Sequence, residues 1–291
     1  MTNQTLGFIG LGVMGAGMCA NLVARQPAPV HVFDLNPEAV AAQVANGGKA
    51  CASVRELAAV ADMIFLSLPG GKQVSAVCAD IAAAAKPGTV VVDLSTTAVA
   101  DARAVAASLA GQGLAFADAP VARTRQAAID GTLSIMVGAD EALFARIEPL
   151  LKTMGSDVTR CGEVGCGQVV KLINNTLLFE QVAAIAEMMV VAERAGVSAE
   201  TLIHAVGLGS GNSFALQNHG VKAMAPRLFP QQAFPSTYTL KDLGYTLELA
   251  QQMGVDPKVA HLAASYYQQA VDEGIGDQYF PAIIQLVEKQ R

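Results

Sequence analysis

Charge is scarce in this 291-residue chain: charged residues make up 15%, they sum to −6, and no basic cluster stands out. That excludes a surface built to neutralise phosphates, so no nucleic-acid partner is expected. Long apolar runs are also missing. None reaches the roughly 18–20 residues of a bilayer span, so no membrane partner is expected. No signal or transit pattern precedes the first apolar strand, and a cytoplasmic protein is expected. The five cysteines, Cys19, Cys51, Cys78, Cys161 and Cys166, are odd in number, scattered and without C-x-x-C spacing. Free thiols in a reducing compartment fit this better than disulfides or a metal. His31, His204, His219 and His261 are scattered and read as structural, and with no ligand spacing among histidines or carboxylates no metal is expected. Internal repeats and low-complexity tails are absent. What the chain does have is 52% apolar residues and length enough for one large or two ordinary globular domains.

The most informative stretch is Leu6 to Met18. A short apolar run ends at Gly10, and Gly10, Gly12 and Gly15 follow the G-x-G-x-x-G spacing just before an amphipathic segment, Met14 to Arg25. Strand, glycine turn and helix in that order form a pocket for a dinucleotide pyrophosphate. The first glycine allows the tight turn, the second lets backbone approach the phosphates, and the third allows close helix–strand packing. Unpaired N–H groups at the helix start then meet the anion. The expected cofactor contacts are Gly10, Leu11, Gly12, Val13, Met14 and Gly15, then Asp34 and Leu35, then Leu68, Pro69 and Val74 after a later strand. Asp34 lies 24 residues beyond Gly10, at the end of the strand Val30 to Asp34. An acid at this offset hydrogen-bonds ribose hydroxyls. No Arg or Lys follows before Lys49 to receive a 2′-phosphate, so NAD is favoured over NADP. Asp34 capping the next helix is the alternative, and both roles can coexist.

Strands at Val30 to Asp34, Asp62 to Leu68, Thr89 to Leu94, Leu114 to Ala117 and Leu133 to Val137 alternate with helical segments. Parallel βαβ units and a doubly wound Rossmann-type α/β sheet are expected. After Gly162-Glu163-Val164-Gly165 the pattern changes. Gln168 to Ala195 is free of proline and glycine, which predicts a helix of about 40 Å at 1.5 Å per residue, long enough for an interdomain spine. Helices at Ala199 to Val206, Tyr238 to Met253, Pro257 to Glu273 and Phe280 to Lys289 follow, with Pro226, Pro230 and Pro235 marking a loop. The expected domains are residues 1–163, binding NAD, and 164–291, all-helical.

Lys171, Asn174 and Asn175 share one face of the long helix, among Val169, Val170, Leu172, Ile173, Leu177 and Leu178. Adjacent asparagines are poor mid-helix residues, and polar residues that contradict their local setting mark function. A polar contact between domains is the other reading.

The glycine loop, Asp118-Ala119-Pro120-Val121, Gly131-Thr132-Leu133, Gly167-x-x-x-Lys171-x-x-Asn174-Asn175 and Lys241-Asp242-Leu243 together resemble the β-hydroxyacid dehydrogenase family, including 3-hydroxyisobutyrate dehydrogenases, over nearly the whole chain. The resemblance implies that Lys171 is the catalytic acid/base and Asn175 its substrate-orienting partner. It places Ser95 and Thr96 near the substrate and nicotinamide ribose, and Lys241 near both cofactor and substrate. It also implies a small anionic hydroxy acid or semialdehyde as substrate and a homodimer or homotetramer. The chain departs from the family after Val121, where Ser-Gly-Gly is usual and Ala122-Arg123-Thr124-Arg125 stands instead. An arginine there supplies a charged planar fork. The loop is similar to that of sulfolactaldehyde reductases, which implies that Arg123 faces a sulfonate. Arg123 or Arg125 pairing with a surface acid such as Asp130 is the alternative. Oxidative decarboxylation, as in 6-phosphogluconate dehydrogenase, and imine reduction are enzymatic rivals, which the chain's short second half and Lys171 respectively disfavour. A non-catalytic NAD-binding redox sensor is a rival of another class.

Overall fold

In the computed structural model, which describes residues 4–27, 29–231 and 233–290, the chain divides into two compact units, one reaching Lys171 and the other starting at Leu172. The first unit contains β1 (Leu6–Ile9), α1 (Gly15–Arg25), β2 (Val30–Phe33), α2 (Pro37–Ala45), β3 (Lys49–Ala50), α3 (Val54–Val60), β4 (Met63–Leu66), α4 (Gly71–Ala82), β5 (Val90–Asp93) and α5 (Val99–Ala110). It continues with β6 (Ala115–Asp118), β7 (Val121–Ala122), α6 (Arg125–Asp130), β8 (Leu133–Gly138), α7 (Glu141–Leu151), β9 (Gly155–Gly162) and the start of α8 (Cys166–Arg194).

The strands form one sheet in the order β3-β2-β1-β4-β5-β6-β8-β7, with β9 also on β8. β1, β4 and β5 are buried along their whole length, as their predominantly apolar sequences require when helices cover both faces. The pairs from β3 through β6 are all parallel. Their carboxyl ends therefore share one edge, and one row crosses it through Phe33, Ile9, Leu66, Asp93 and Asp118. The parallel pattern is broken beyond this row by β8, which runs antiparallel to β6 and β7 and parallel to β9. A parallel return needs a crossover of a dozen or more residues, and α6, with 6 residues, is too short to supply one. β7 instead carries the line of β6 past the sheet edge, so Ala122 lies about 13 Å beyond Asp118 at roughly 3.3 Å per residue.

The second unit contains the remainder of α8, then α9 (Ala199–Gly207), a π-helical segment (Ala215–Met224), α10 (Ser236–Gln252), α11 (Lys258–Asp272), a 3₁₀ turn (Phe280–Ile283) and α12 (Ile284–Glu288). The π-helical segment falls in a region for which the sequence predicts no element. α8 is 29 residues long and apolar enough to cross a membrane by length and composition. Its buried residues Phe179, Val182, Ala186 and Met189, however, belong to this unit's own core. Phe280 is the centre of that core, in ring contact with Phe179, Phe234, Tyr267, Tyr279 and His219. The five cysteines are free thiols. Phe280→Ala removes the ring that five others pack on, and urea denaturation should show a loss of about 3–5 kcal/mol; a loss below about 1 kcal/mol would mean that the cluster repacks around the gap.

Candidate active site

The glycine loop joins β1 to α1 at the carboxyl edge, beside β4. A Cβ on Gly10, whose φ is +95°, would run into Ser67 O, and one on Gly15 would run into Gly10 O, whereas a Cβ on Gly12 would meet nothing within 4 Å. The outer two glycines thus close the turn, and Gly12 faces open space where a ligand's phosphates can come against backbone. No side chain caps α1, which leaves its first N–H groups for an anion. These residues fit a dinucleotide.

Asp34 accepts from Leu11 N at 2.5 Å through one oxygen and from Asn36 N at 2.7 Å through the other. The cap of α2 is Asn36, which accepts from Glu38 N. Asp34 is therefore free of helix capping and braces the glycine loop. Leu35 and Val13 are exposed apolar side chains, and Met14 is half-buried. Val74 is 1% exposed and packed into the core with Leu66 and Cys78, so its side chain offers a ligand almost no surface.

Further along the edge, Ser95 is buried, and its Oγ accepts from Leu68 N at 2.9 Å. Pro69 is exposed. Asp93 is fully buried; its Oδ1 accepts from Ser95 N at 3.0 Å, and its Oδ2 has no hydrogen-bond partner among the described residues. Burial pushes the Asp93 carboxyl up to about 7; the Ser95 hydrogen bonds oppose this, and the neighbouring Asp118 charge adds to it. On α8, Gln168 Nε2 donates to Ser95 O at 2.8 Å, and Gln168 Oε1 accepts from Thr97 N at 3.1 Å. The segment Ser95-Thr96-Thr97 is thereby tied to the helix turn that precedes Lys171. Asp118 is buried and accepts from Gly165 N and Gln168 N at the same helix start.

Lys171 and Asn175 are both buried, one helical turn apart on α8, while Asn174 is exposed and donates to Asn175 Oδ1 at 3.2 Å. In the second unit, Asn175 Nδ2 donates to Asp242 Oδ2 at 2.7 Å. Asp242 is buried, and its Oδ1 lies 3.2 Å from Lys241 Nζ, an ion pair without hydrogen-bond alignment. Lys241 Nζ also lies 5.3 Å from the centre of the Tyr245 ring. Asp118, Gln168 and Asp242 have no role legible in the sequence, although each stands within or beside one of the motifs Asp118-Ala119-Pro120-Val121, Gly167-x-x-x-Lys171 and Lys241-Asp242-Leu243. Buried carboxylates of that kind are visible in sequence only as acids abutting apolar runs.

Arg123 is bonded to residues around β8 and β9. Its Nη1 donates to Thr132 O at 2.5 Å and Ser156 Oγ at 2.8 Å, and its Nη2 pairs with Asp157 Oδ2 at 2.7 Å. The Ser156 hydroxyl and the Arg123 guanidinium hold the Asp157 carboxyl below its usual range. The guanidinium is thus committed to Asp157, a surface acid other than the Asp130 considered from sequence. The backbone of Arg123 has φ +87°, a left-handed conformation that costs a side-chain-bearing residue about 1–2 kcal/mol. Ala122 is paired with Ser134 in β7–β8, Thr124 caps α6 by accepting from Ala127 N, and Arg125 is exposed.

Residues 5–162 match the family described as the NAD binding domain of 6-phosphogluconate dehydrogenase, and residues 165–287 the family described as NAD-binding of NADP-dependent 3-hydroxyisobutyrate dehydrogenase. Fold and site together define an oxidoreductase that acts on a CH–OH group with a nicotinamide dinucleotide. Among its relatives, the 2-(hydroxymethyl)glutarate dehydrogenase of Eubacterium barkeri is 36% identical over 98% of this chain and 95% of its own length. The NAD-dependent L-serine dehydrogenase of Pseudomonas aeruginosa is 34% identical over 98% of each. The structure of Mycobacterium tuberculosis 3-hydroxyisobutyrate dehydrogenase with L-serine superimposes with a TM-score of 0.89 at 35% identity, covering 98% of this chain and 99% of that one. The chain belongs to the β-hydroxyacid dehydrogenase family.

The raised Asp93 carboxyl has a consequence for stability. An acid held higher in the fold than when unfolded contributes stability that is complete below its ordinary value near 4 and is lost as pH rises through about 7. Asp93→Asn keeps the acceptor for Ser95 N and cannot ionise. Its Tm should therefore fall less than wild type's between pH 5 and pH 8, and equal slopes would contradict the raised value.

Proposed function

We propose that this chain interconverts a short 3-hydroxy acid and its semialdehyde, using NAD in preference to NADP, with Lys171 as the acid/base. The observation that carries this reading is the buried Lys171–Asn175 face of α8, set one turn beyond a glutamine bonded to the Ser95–Thr97 segment. A bound nicotinamide dinucleotide supplies or accepts the hydride. The rest of the chemistry falls to side chains. In the reducing direction Lys171 donates a proton from its ammonium to the carbonyl oxygen as negative charge builds there, and in oxidation the neutral amine takes the hydroxyl proton. Asn175, its Nδ2 held by Asp242, orients the hydroxyl. Lys241, beside Asp242 and Tyr245, supplies a cation for the anionic substrate. Asp34 favours NAD, because a 2′-phosphate beside its carboxylate is repelled and no Arg or Lys follows in sequence before Lys49. L-serine, named for two of the relatives, is itself a 3-hydroxy acid and supports the substrate class.

The sulfonate reading requires Arg123 to exchange Asp157 for substrate. The observed clamp favours a carboxylate held elsewhere, with Arg123 bracing its own strained loop. The redox-sensor reading leaves Lys171 without a task.

Lys171→Ala should lower kcat by about a thousandfold while NADH binding, followed by fluorescence, stays unchanged; retained turnover would refute the assignment. Arg123→Ala should lower Tm and leave KM for carboxylate semialdehydes unaltered. A KM raised tenfold or more for sulfolactaldehyde alone would instead support the sulfonate reading.

A further inference from the structure

We propose that Asp118 is a positioning residue for Lys171, its carboxylate gripping the start of α8 with both oxygens so that the lysine keeps one height and one azimuth above the sheet edge. The proposal rests on Lys171 being the acid/base.

The first N–H groups of a helix have no partners within it. At α8, Gly165 N donates to Asp118 Oδ1 at 2.6 Å and Gln168 N to Asp118 Oδ2 at 2.8 Å. Other helices of this chain are capped by the residue just before them, through one acceptor: Asn36 for α2, Ser53 for α3, Asp140 for α7 and Ser198 for α9. The carboxylate on α8 comes from a strand end 47 residues before the first donor. It uses two oxygens on two N–H groups, which limits rotation of the helix about its axis as well as translation. A carboxylate is also the group that the positive end of a helix dipole favours.

Packing makes this grip stiff. A Cβ on Gly138 would collide with the Asp118 carboxylate, and one on Gly167 would meet Met136 O and Asp118 Oδ2. The helix start therefore rests on the strand ends with no room for a methyl group. Asp118 itself is fixed by the row that places it beside Asp93 on one side and Gly138 on the other. Gln168 adds a second anchor of the same turn to Ser95 O and Thr97 N. Lys171 is three residues on from Gln168, about 4.5 Å along the axis and on the same side. Two anchors one turn away thus determine where its amine can reach. Catalytic geometry is sensitive at this scale, since a misplacement of about 1 Å can cost about a hundredfold in rate.

The test uses Asp118→Asn in the full chain, with NADH and methylmalonate semialdehyde as the probe. Asparagine has the same shape but turns an N–H toward one of the helix donors. The expected result is a kcat lowered about 10- to 100-fold, with KM and NADH affinity within about threefold of wild type, a larger isotope effect with C4-deuterated NADH, and faster amide exchange confined to residues 163–172. Asp140→Ala removes an ordinary cap, that of α7, and should lower Tm without changing kcat. The Asp118→Asn penalty should vanish in a Lys171→Ala background, because a residue that acts through the lysine has nothing left to position. A lowered Tm with unchanged kcat, or the same penalty with Lys171 absent, would overturn the proposal. Turnover retained by Lys171→Ala alone would instead overturn the acid/base assignment. If Asp118→Asn does not fold, Gln168→Ala takes its place: kcat should fall at constant KM, and an unaltered kcat would overturn the proposal.

Discussion

The start of α8 at the carboxyl edge of the sheet depends on one constraint, a buried carboxylate on β6 that accepts from Gly165 N and Gln168 N. Charges are rarely buried without partners, because desolvation raises their cost. Asp118 is pushed upward by burial and held back by backbone N–H donors from Gly165 and Gln168, its own N–H and that of Gly167. Asp93, next to it in the strand row, has fewer donors and an oxygen unpartnered among the described residues. The two acids differ accordingly: Asp118 places both oxygens on N–H groups at the helix start, while burial pushes the Asp93 carboxyl up to about 7.

The loop after β7 holds a strained shape through its own side-chain contacts. Arg123 occupies a left-handed conformation that glycine adopts at little cost. Its guanidinium is fastened to Thr132, Ser156 and Asp157. Since both groups of the Arg123–Asp157 pair are about half exposed, the pair adds little stability by itself. Its effect is to fix the direction of the loop that follows β7.

Much of the architecture was legible in the sequence, and the reasons are physical. Gly10, Gly12 and Gly15 could be read because their spacing came with a buried strand before and a helix after. Lys171 and Asn175 stood out because polar residues on an apolar helix contradict their surroundings. The long α8 was plain from its freedom from proline and glycine. Other features were not legible, because they depend on contacts far apart in the chain. Asp242 meets Asn175 across 67 residues, and Arg123 meets Asp157 across 34. The antiparallel β8 turned on the shortness of α6. The π-helical segment, interrupted by Gly220, lacks the 3.6-residue periodicity by which helices are found. Val74 sits next to a ligand loop in sequence yet faces the core, a distinction that only packing makes.

The central claim is that a proton donor and a dinucleotide cradle belong to one reaction. It is tested most directly by mixing the wild-type protein with NADH or NADPH and a panel of short acidic semialdehydes: methylmalonate, tartronate, succinic and sulfolactate. At least one carboxylate semialdehyde should be reduced, with a higher kcat/KM for NADH than for NADPH. Tight NADH binding with no aldehyde reduced would contradict the claim and leave the chain a binder of the dinucleotide alone.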